Sequence, residues 1–275
     1  MIKINLVNQS TVFSDNDLPA LANALQIQVS RDFFPIWGVN AQIYYTPSGK
    51  HATSGYWVLA LLDNSDQADA LAYHDVTPDG QPLGKIFVKT TLANNSLVSV
   101  SASHELVEML CDPDVNLTAE LDDASGIPSR FVSYEPADPC QDDSFAYPAE
   151  IPPGWPGAGT LVKVTDFVFP SWFESFRTPN IQGPTATGFT QFDFQKKITA
   201  PFQLLPGGYI GFLDLGNLAA GWQQEIAANT SIEARMAARP RPGSRRSRRA
   251  LPRSQWIRST YQPVTEPGIP AGAQL

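Results

Sequence analysis

The dipeptide Asp112-Pro113 divides this chain into two parts that cannot fold by the same rules. Pro113 has no amide hydrogen to donate and disfavours helix at the residue before it, so a helix reaching Asp112 must end there. Ahead of this break, apolar residues recur with regular periods. Most of the 24 prolines and 19 glycines lie behind it, and the periodic runs shorten. The first part therefore predicts regular sheet and helix, and the second predicts loops joined by short strands. With 43% hydrophobic and 17% charged residues, the 275-residue chain has a globular composition and enough length to bury a core.

Residues 2–7 alternate like a strand. Asp15 or Asn16 then caps a helix predicted over 17–34, with Leu18, Leu21, Leu25, Val29 and Phe33 three or four residues apart, and Gly38 stops it. Strands are predicted at Ala41–Thr46, Tyr56–Leu62 and Ala70–His74. After the turn Thr77-Pro78-Asp79-Gly80 a further strand is predicted at Gly84–Lys89. Asn94, Asn95 or Ser96 caps a second helix over 96–111, and short strands follow at 130–135, 160–169, 189–195 and 208–214. The class expected is α+β: a mixed sheet with two main helices, then a loop-rich β region. Residues 1–234 are expected to form one domain, with sheet and site helix in 1–113 and the loop-rich region in 114–234.

Charge separates residues 235–275 from this domain. Residues 1–234 carry 26 acidic and 10 basic side chains, a sum of −16; the remainder carries nine arginines and one glutamate, a sum of +8. The arginine- and proline-rich segment cannot bury enough apolar surface to order itself and is expected to be a flexible tail. Its charge suits a phosphate backbone of nucleic acid, an acidic lipid surface or an acidic protein surface. No run of about 18 apolar residues is present, so no membrane span is expected. The N-terminus lacks a signal peptide's long apolar centre and cleavage site, so the default location is cytoplasmic; packaging into a virion or other particle would leave no mark. Two cysteines, Cys111 and Cys140, are too few for a disulfide scaffold but leave one bridge or two free thiols open.

The chemistry is concentrated in His104-Glu105-Leu106-Val107-Glu108 on the second predicted helix. Four residues apart, His104 and Glu108 lie one above the other on one helix face and can grip one ion. Glu105 stands beside the first ligand, where it can take a proton from a metal-bound water. A carboxylate as second ligand suits zinc but also harder ions such as manganese or calcium. A catalytic site needs a third protein ligand, and the acidic stretch after the helix offers Asp112, Asp114, Glu135 and Asp138 among others. The alternative is a solvated helix face. Tyr134 is a candidate oxyanion stabiliser, and Trp155, Phe169, Trp172, Phe173 and Phe176 are candidates either for a substrate cleft or for core packing.

The order strand, helix, several strands, then a helix bearing His-Glu is similar to the N-terminal half of zincin metallopeptidases. Ser103-His104-Glu105-Leu106-Val107-Glu108-Met109-Leu110-Cys111-Asp112-Pro113, followed by Glu135-x-x-Asp138-Pro139-Cys140, resembles a family of uncharacterised bacterial and phage-associated proteins with the pattern S-H-E-x-x-E-x-x-x-D-P and then E-x-x-D. More distantly it is similar to the exordium-like proteins. The likeness continues through Val164–Phe173 and Ala200–Tyr209, so it covers roughly residues 40–215 and omits the basic tail. The resemblance implies a zincin-like fold and favours Glu135 and Asp138 over Asp114 as further ligands beside His104 and Glu108. The functions to be weighed are a zinc hydrolase acting on peptides, with Glu105 as base, and a catalytically silent zincin-like assembly protein, for example in a phage virion. A calcium-stabilised secreted binding protein is a third.

Overall fold

The computed structural model describes residues 1–67, 70–123, 125–174, 191–227, 269–270 and 272. The alternating N-terminus forms β1 (Ile2–Asn8), at the centre of the main sheet. It runs parallel to β2 (Ala41–Thr46) on one side and to β3 (Trp57–Leu62) on the other. Next to β3 lies β5 (Pro82–Phe87), again parallel, and β4 (Ala72–Val76) closes that edge antiparallel. The hairpin between β4 and β5 turns at Thr77–Gly80, where Gly80 donates its amide to Thr77 O at 2.8 Å.

Both main helices cover one face of this sheet. Helix α1 (Leu18–Ile27) packs on β2, while α4 (Val98–Cys111) packs on β5 and β4. Ile4, Leu6, Ile43, Leu59, Leu61 and Ile86 share one core with Leu25 of α1 and Leu106 of α4. Val7, Val58, Ala60 and Leu83 form a smaller cluster with Ala52 from the loop after β2. Burial on both faces is what parallel strands require.

The predicted first helix is longer than expected and changes pitch. After α1 it widens to a π turn over Gln28–Phe33 and resumes as α2 (Phe34–Trp37), with Gly38 stopping it in the left-handed region at φ 73°. Pro35 supplies a reason. It would clash with the carbonyl four residues back in a regular helix, and the wider turn lets Phe34 donate to Val29 O instead. Asp15 does not cap α1; its carboxylate accepts from Ser48 N at 2.9 Å and from Asn8 Nδ2 at 2.7 Å. Likewise none of Asn94, Asn95 and Ser96 caps α4. The residue before that helix is Leu97, whose amide donates to Asp143 Oδ2 at 2.8 Å. The strand expected to reach Lys89 ends at Phe87, and α3 (Val88–Ala93) begins there.

Beyond Pro113 come short strands, as expected, but more of them. β6 (Thr118–Asp122), β7 (Pro128–Ser133), β10 (Tyr209–Asp214) and β11 (Trp222–Ile226) form an antiparallel sheet in the order β11-β10-β7-β6. β8 (Tyr147–Glu150) and β9 (Leu161–Val164) pair separately, and β9 packs on both α1 and α4, so the helices lie between the main sheet and the second half. The short helix α5 (Pro170–Phe173) follows. Of the strand expected at 189–195, the described residues hold only a bridge between Asp193 and Val168. The arginines at 235–258 and the boundary at 234 lie outside the described residues. From the expected tail, β12 (Ile269–Pro270) pairs antiparallel with β2 at the far edge of the main sheet. Among the described residues no helix is long and apolar enough to cross a membrane.

Candidate metal centre

Helix α4 sets the site because it carries three of its side chains on a buried face. His104 is 8% exposed, Glu105 4% and Glu108 0%, which excludes a solvated charged face. The helix sits low over the sheet at Gly84 of β5, where an added Cβ would come within 3.6 Å of Glu105 Cβ and 2.5 Å of Leu59 Cδ1. Its middle is tied to the second half through Ser103, whose Oγ accepts from Thr165 N at 2.7 Å.

The third donor arrives on the turn after β7. Pro136 O accepts from Val168 N at 2.8 Å and Pro139 O from Leu205 N at 3.0 Å, which anchors the approach to the short turn Asp138–Cys140 and its middle residue. Gly208 presses against this turn so closely that a Cβ there would lie 2.0 Å from Pro139 O. Asp138, 1% exposed, thereby comes to His104: Nε2 of His104 lies 3.3 Å from Asp138 Oδ1 and 3.2 Å from Glu108 Oε1. His104, Glu108 and Asp138 each offer a ligand atom, and the three atoms lie within 4.8 Å of one another.

A second triplet, His74, Glu105 and Glu108, meets the same criterion. His74 lies on β4 opposite Gly84, fully buried beneath α4. Its Nδ1 is 3.4 Å from Glu105 Oε2 and 3.6 Å from Glu108 Oε2, and its Nε2 is 3.2 Å from Asp112 O. A single histidine on a strand carries no spacing signal, and sequence alone favours the acidic stretch after the helix over His51 and His74 as the source of a third ligand. Glu135, expected beside Asp138, is buried at 2% exposure on the same turn but belongs to neither triplet. Asp112 acts as a turn cap, its Oδ1 accepting from Asn116 N at 2.8 Å and Leu117 N at 3.1 Å, and Asp114 is exposed.

The donors fit a divalent ion. Two bonds of about 2.0–2.1 Å at a tetrahedral angle separate donor atoms by about 3.3 Å, close to both His104 separations. Electrostatics agree with a cation here. Burial alone would lower the His104 pKa, but the Glu108 charge, contacts with Asp138 and Glu108 and the Glu105 charge outweigh it and raise it well above the usual histidine range. No disulfide joins Cys111 and Cys140, so the bridge between them is not made. Burial first, then Asp166, Asp193, Asp138 and Glu108, push the Cys140 thiol well up, which keeps it protonated and a poor metal ligand.

The aromatic candidates are mostly core. Phe169, Trp172 and Phe173 are 4%, 0% and 3% exposed, and Trp155 packs half-buried against the same cluster. Phe176 lies outside the described residues. The Tyr134 hydroxyl lies 3.4 Å from Glu174 Oε2, and its ring stacks on Phe173 at 4.2 Å. Behind the turn sits a buried acid pair. Asp166 Oδ1 accepts from Phe167 N and Gln195 N, and Asp193 accepts from Lys197 N and Ile198 N. Burial, then Asp193, raises Asp166 well above the usual carboxylate range. Comparison with family models, with curated proteins and with solved structures finds no match for this chain.

Proposed function

We propose that this chain is a zincin-like, metal-dependent hydrolase of the peptidase type, with His104, Glu108 and Asp138 as ligands of one zinc ion. The carrying observation is the convergence of His104 Nε2 on Glu108 Oε1 at 3.2 Å and Asp138 Oδ1 at 3.3 Å in a buried site. Three protein ligands leave a fourth position open, where zinc would polarise a carbonyl and bring a water's pKa to about 7. Glu105 is the general base. It follows His104 on the helix, and its Oε2 lies 3.4 Å from His74 Nδ1 beneath the helix. His104 keeps 10% of its side chain exposed, whereas Glu108 and Asp138 keep 0% and 2%, so substrate approaches along the imidazole edge. Glu135 stays outside this ligand set. Manganese suits the two carboxylates as well as zinc does.

The experiment is elemental analysis paired with Glu105→Gln. The ion held by His104, Glu108 and Asp138 is expected to survive this substitution while peptide hydrolysis falls by about 10²–10⁴-fold, the usual contribution of a general base. A folded preparation without stoichiometric metal overturns the reading.

The deep burial of the donors also favours a second reading, a silent zincin-like assembly protein in which the ion only staples α4 to the 133–140 turn. Its basic segment would then dock an acidic protein surface or nucleic acid, and the setting could be a virion or the cytoplasm. Hydrolysis absent from the metal-loaded protein, with a chelator-sensitive melting temperature, would select it.

A further inference from the structure

We propose that the site is dinuclear: a second divalent cation is held by His74 Nδ1, Glu105 Oε2 and Glu108 Oε2, and the Glu108 carboxylate bridges the two ions. This rests on the metal reading above, because Glu108 belongs to both triplets. Its two oxygens face different imidazoles, Oε1 towards His104 on the same helix and Oε2 towards His74 on β4. A carboxylate shared in this way is how two ions come to lie about 3.5–4 Å apart in co-catalytic centres.

Two features of His74 suit a metal ligand. A carbonyl oxygen only accepts, so the contact of Nε2 with Asp112 O places a ring proton on Nε2, and Nδ1 faces Glu105 and Glu108. A ring nitrogen donating to a backbone carbonyl while its partner faces the ion is the usual support for a metal-bound histidine. The separations are the second feature. A charge-assisted hydrogen bond to a carboxylate closes to about 2.7–2.9 Å, whereas 3.4 and 3.6 Å match the donor spacing of about 3.3 Å around a tetrahedral ion. Gly84, opposite His74 in the sheet, keeps Glu105 close to the strand that supplies this ligand. Glu105 then serves as ligand through Oε2 and as proton acceptor through its other oxygen.

The test is manganese loading of the full chain, read by metal analysis and electron paramagnetic resonance. The unsubstituted protein is expected to bind two Mn²⁺ per chain with an exchange-coupled spectrum. His74→Gln is expected to bind one, with the coupling lost and the six-line signal of an isolated ion in its place. The coupled spectrum of the unsubstituted protein is itself decisive, so the proposal stays testable if the variant fails to fold. One Mn²⁺ in both proteins overturns the second ion and leaves the mononuclear site standing. Two coupled ions in His74→Gln overturn the assignment to His74. No Mn²⁺ and no Zn²⁺ in the unsubstituted protein overturns both readings.

Discussion

The two sides of Pro113 build their parts of the site by different means. Before it, His74, His104, Glu105 and Glu108 sit on a strand and a helix whose backbones satisfy their own hydrogen bonds. After it, Asp138 sits on a three-residue turn held by Val168, Leu205 and the tight approach of Gly208. A donor on regular structure is aimed by the element. One on a turn is aimed by what packs around it, so small changes far away in sequence should move it.

Paired glycine substitutions give the largest test of this contrast. Gly208→Ala places a Cβ against a backbone oxygen that two packed segments hold in place, so the turn must shift. Its destabilisation is expected near 3 kcal/mol, the upper part of the overpacking range, with weakened metal binding through Asp138. Gly84→Ala meets first the end of the Leu59 side chain, which can change rotamer, and should cost about 1 kcal/mol with metal affinity nearly kept. Denaturant midpoints and metal titration of both variants check the difference. Equal effects at the two glycines would erase the distinction.

Much of the first half was legible in sequence, because β1 alternates, β3 is a short unbroken apolar run and α4 repeats at about four residues. The His104–Glu108 face followed from helix geometry alone. Asp138 was legible through the E-x-x-D pattern, although spacing could not separate it from Glu135; only the path of the turn does that. His74 was not legible, since its role depends on the register that sets it against Gly84 beneath α4. The π turn was hidden for a related reason: Pro35 signals a fault in a helix without saying whether the chain will break or widen. In the second half, the extra strands β6, β8 and β11 pair with partners chosen by tertiary packing, where short runs carry little period.

A pH dependence should also set the second half apart. Asp166, raised by burial and Asp193, is protonated in the folded chain at pH values where the unfolded chain has lost that proton. The native state then binds more protons, so this pair's contribution is complete below the ordinary value of 3.8 and is lost as pH rises through the folded value. The slope amounts to at most one proton per chain. Asp166→Asn retains an acceptor for Phe167 N and Gln195 N and has no proton to lose, so it should remove the slope. Melting temperatures across pH 4–8, measured on metal-free samples of both proteins, are the check; an unchanged slope refutes the raised Asp166 carboxyl.

The smallest effect concerns a place where the loop-rich half supports the start of the site helix. An α-helix begins with amides that lack partners, and α4 starts without a side chain of its own segment to receive them. Asp143 takes the Leu97 amide at 2.8 Å from 46 residues further on, adding a negative charge at the helix's positive end. Asp143→Ala should therefore cost about 1 kcal/mol, as the loss of a local cap does. Because His104 lies nearly two turns inside the helix, metal stoichiometry should be unchanged. Hydrogen exchange resolves where the loss falls: faster exchange confined to the first turn of α4 fits a remote cap, whereas faster exchange through Glu108 would mean that the site helix is not rigid on its own side of Pro113.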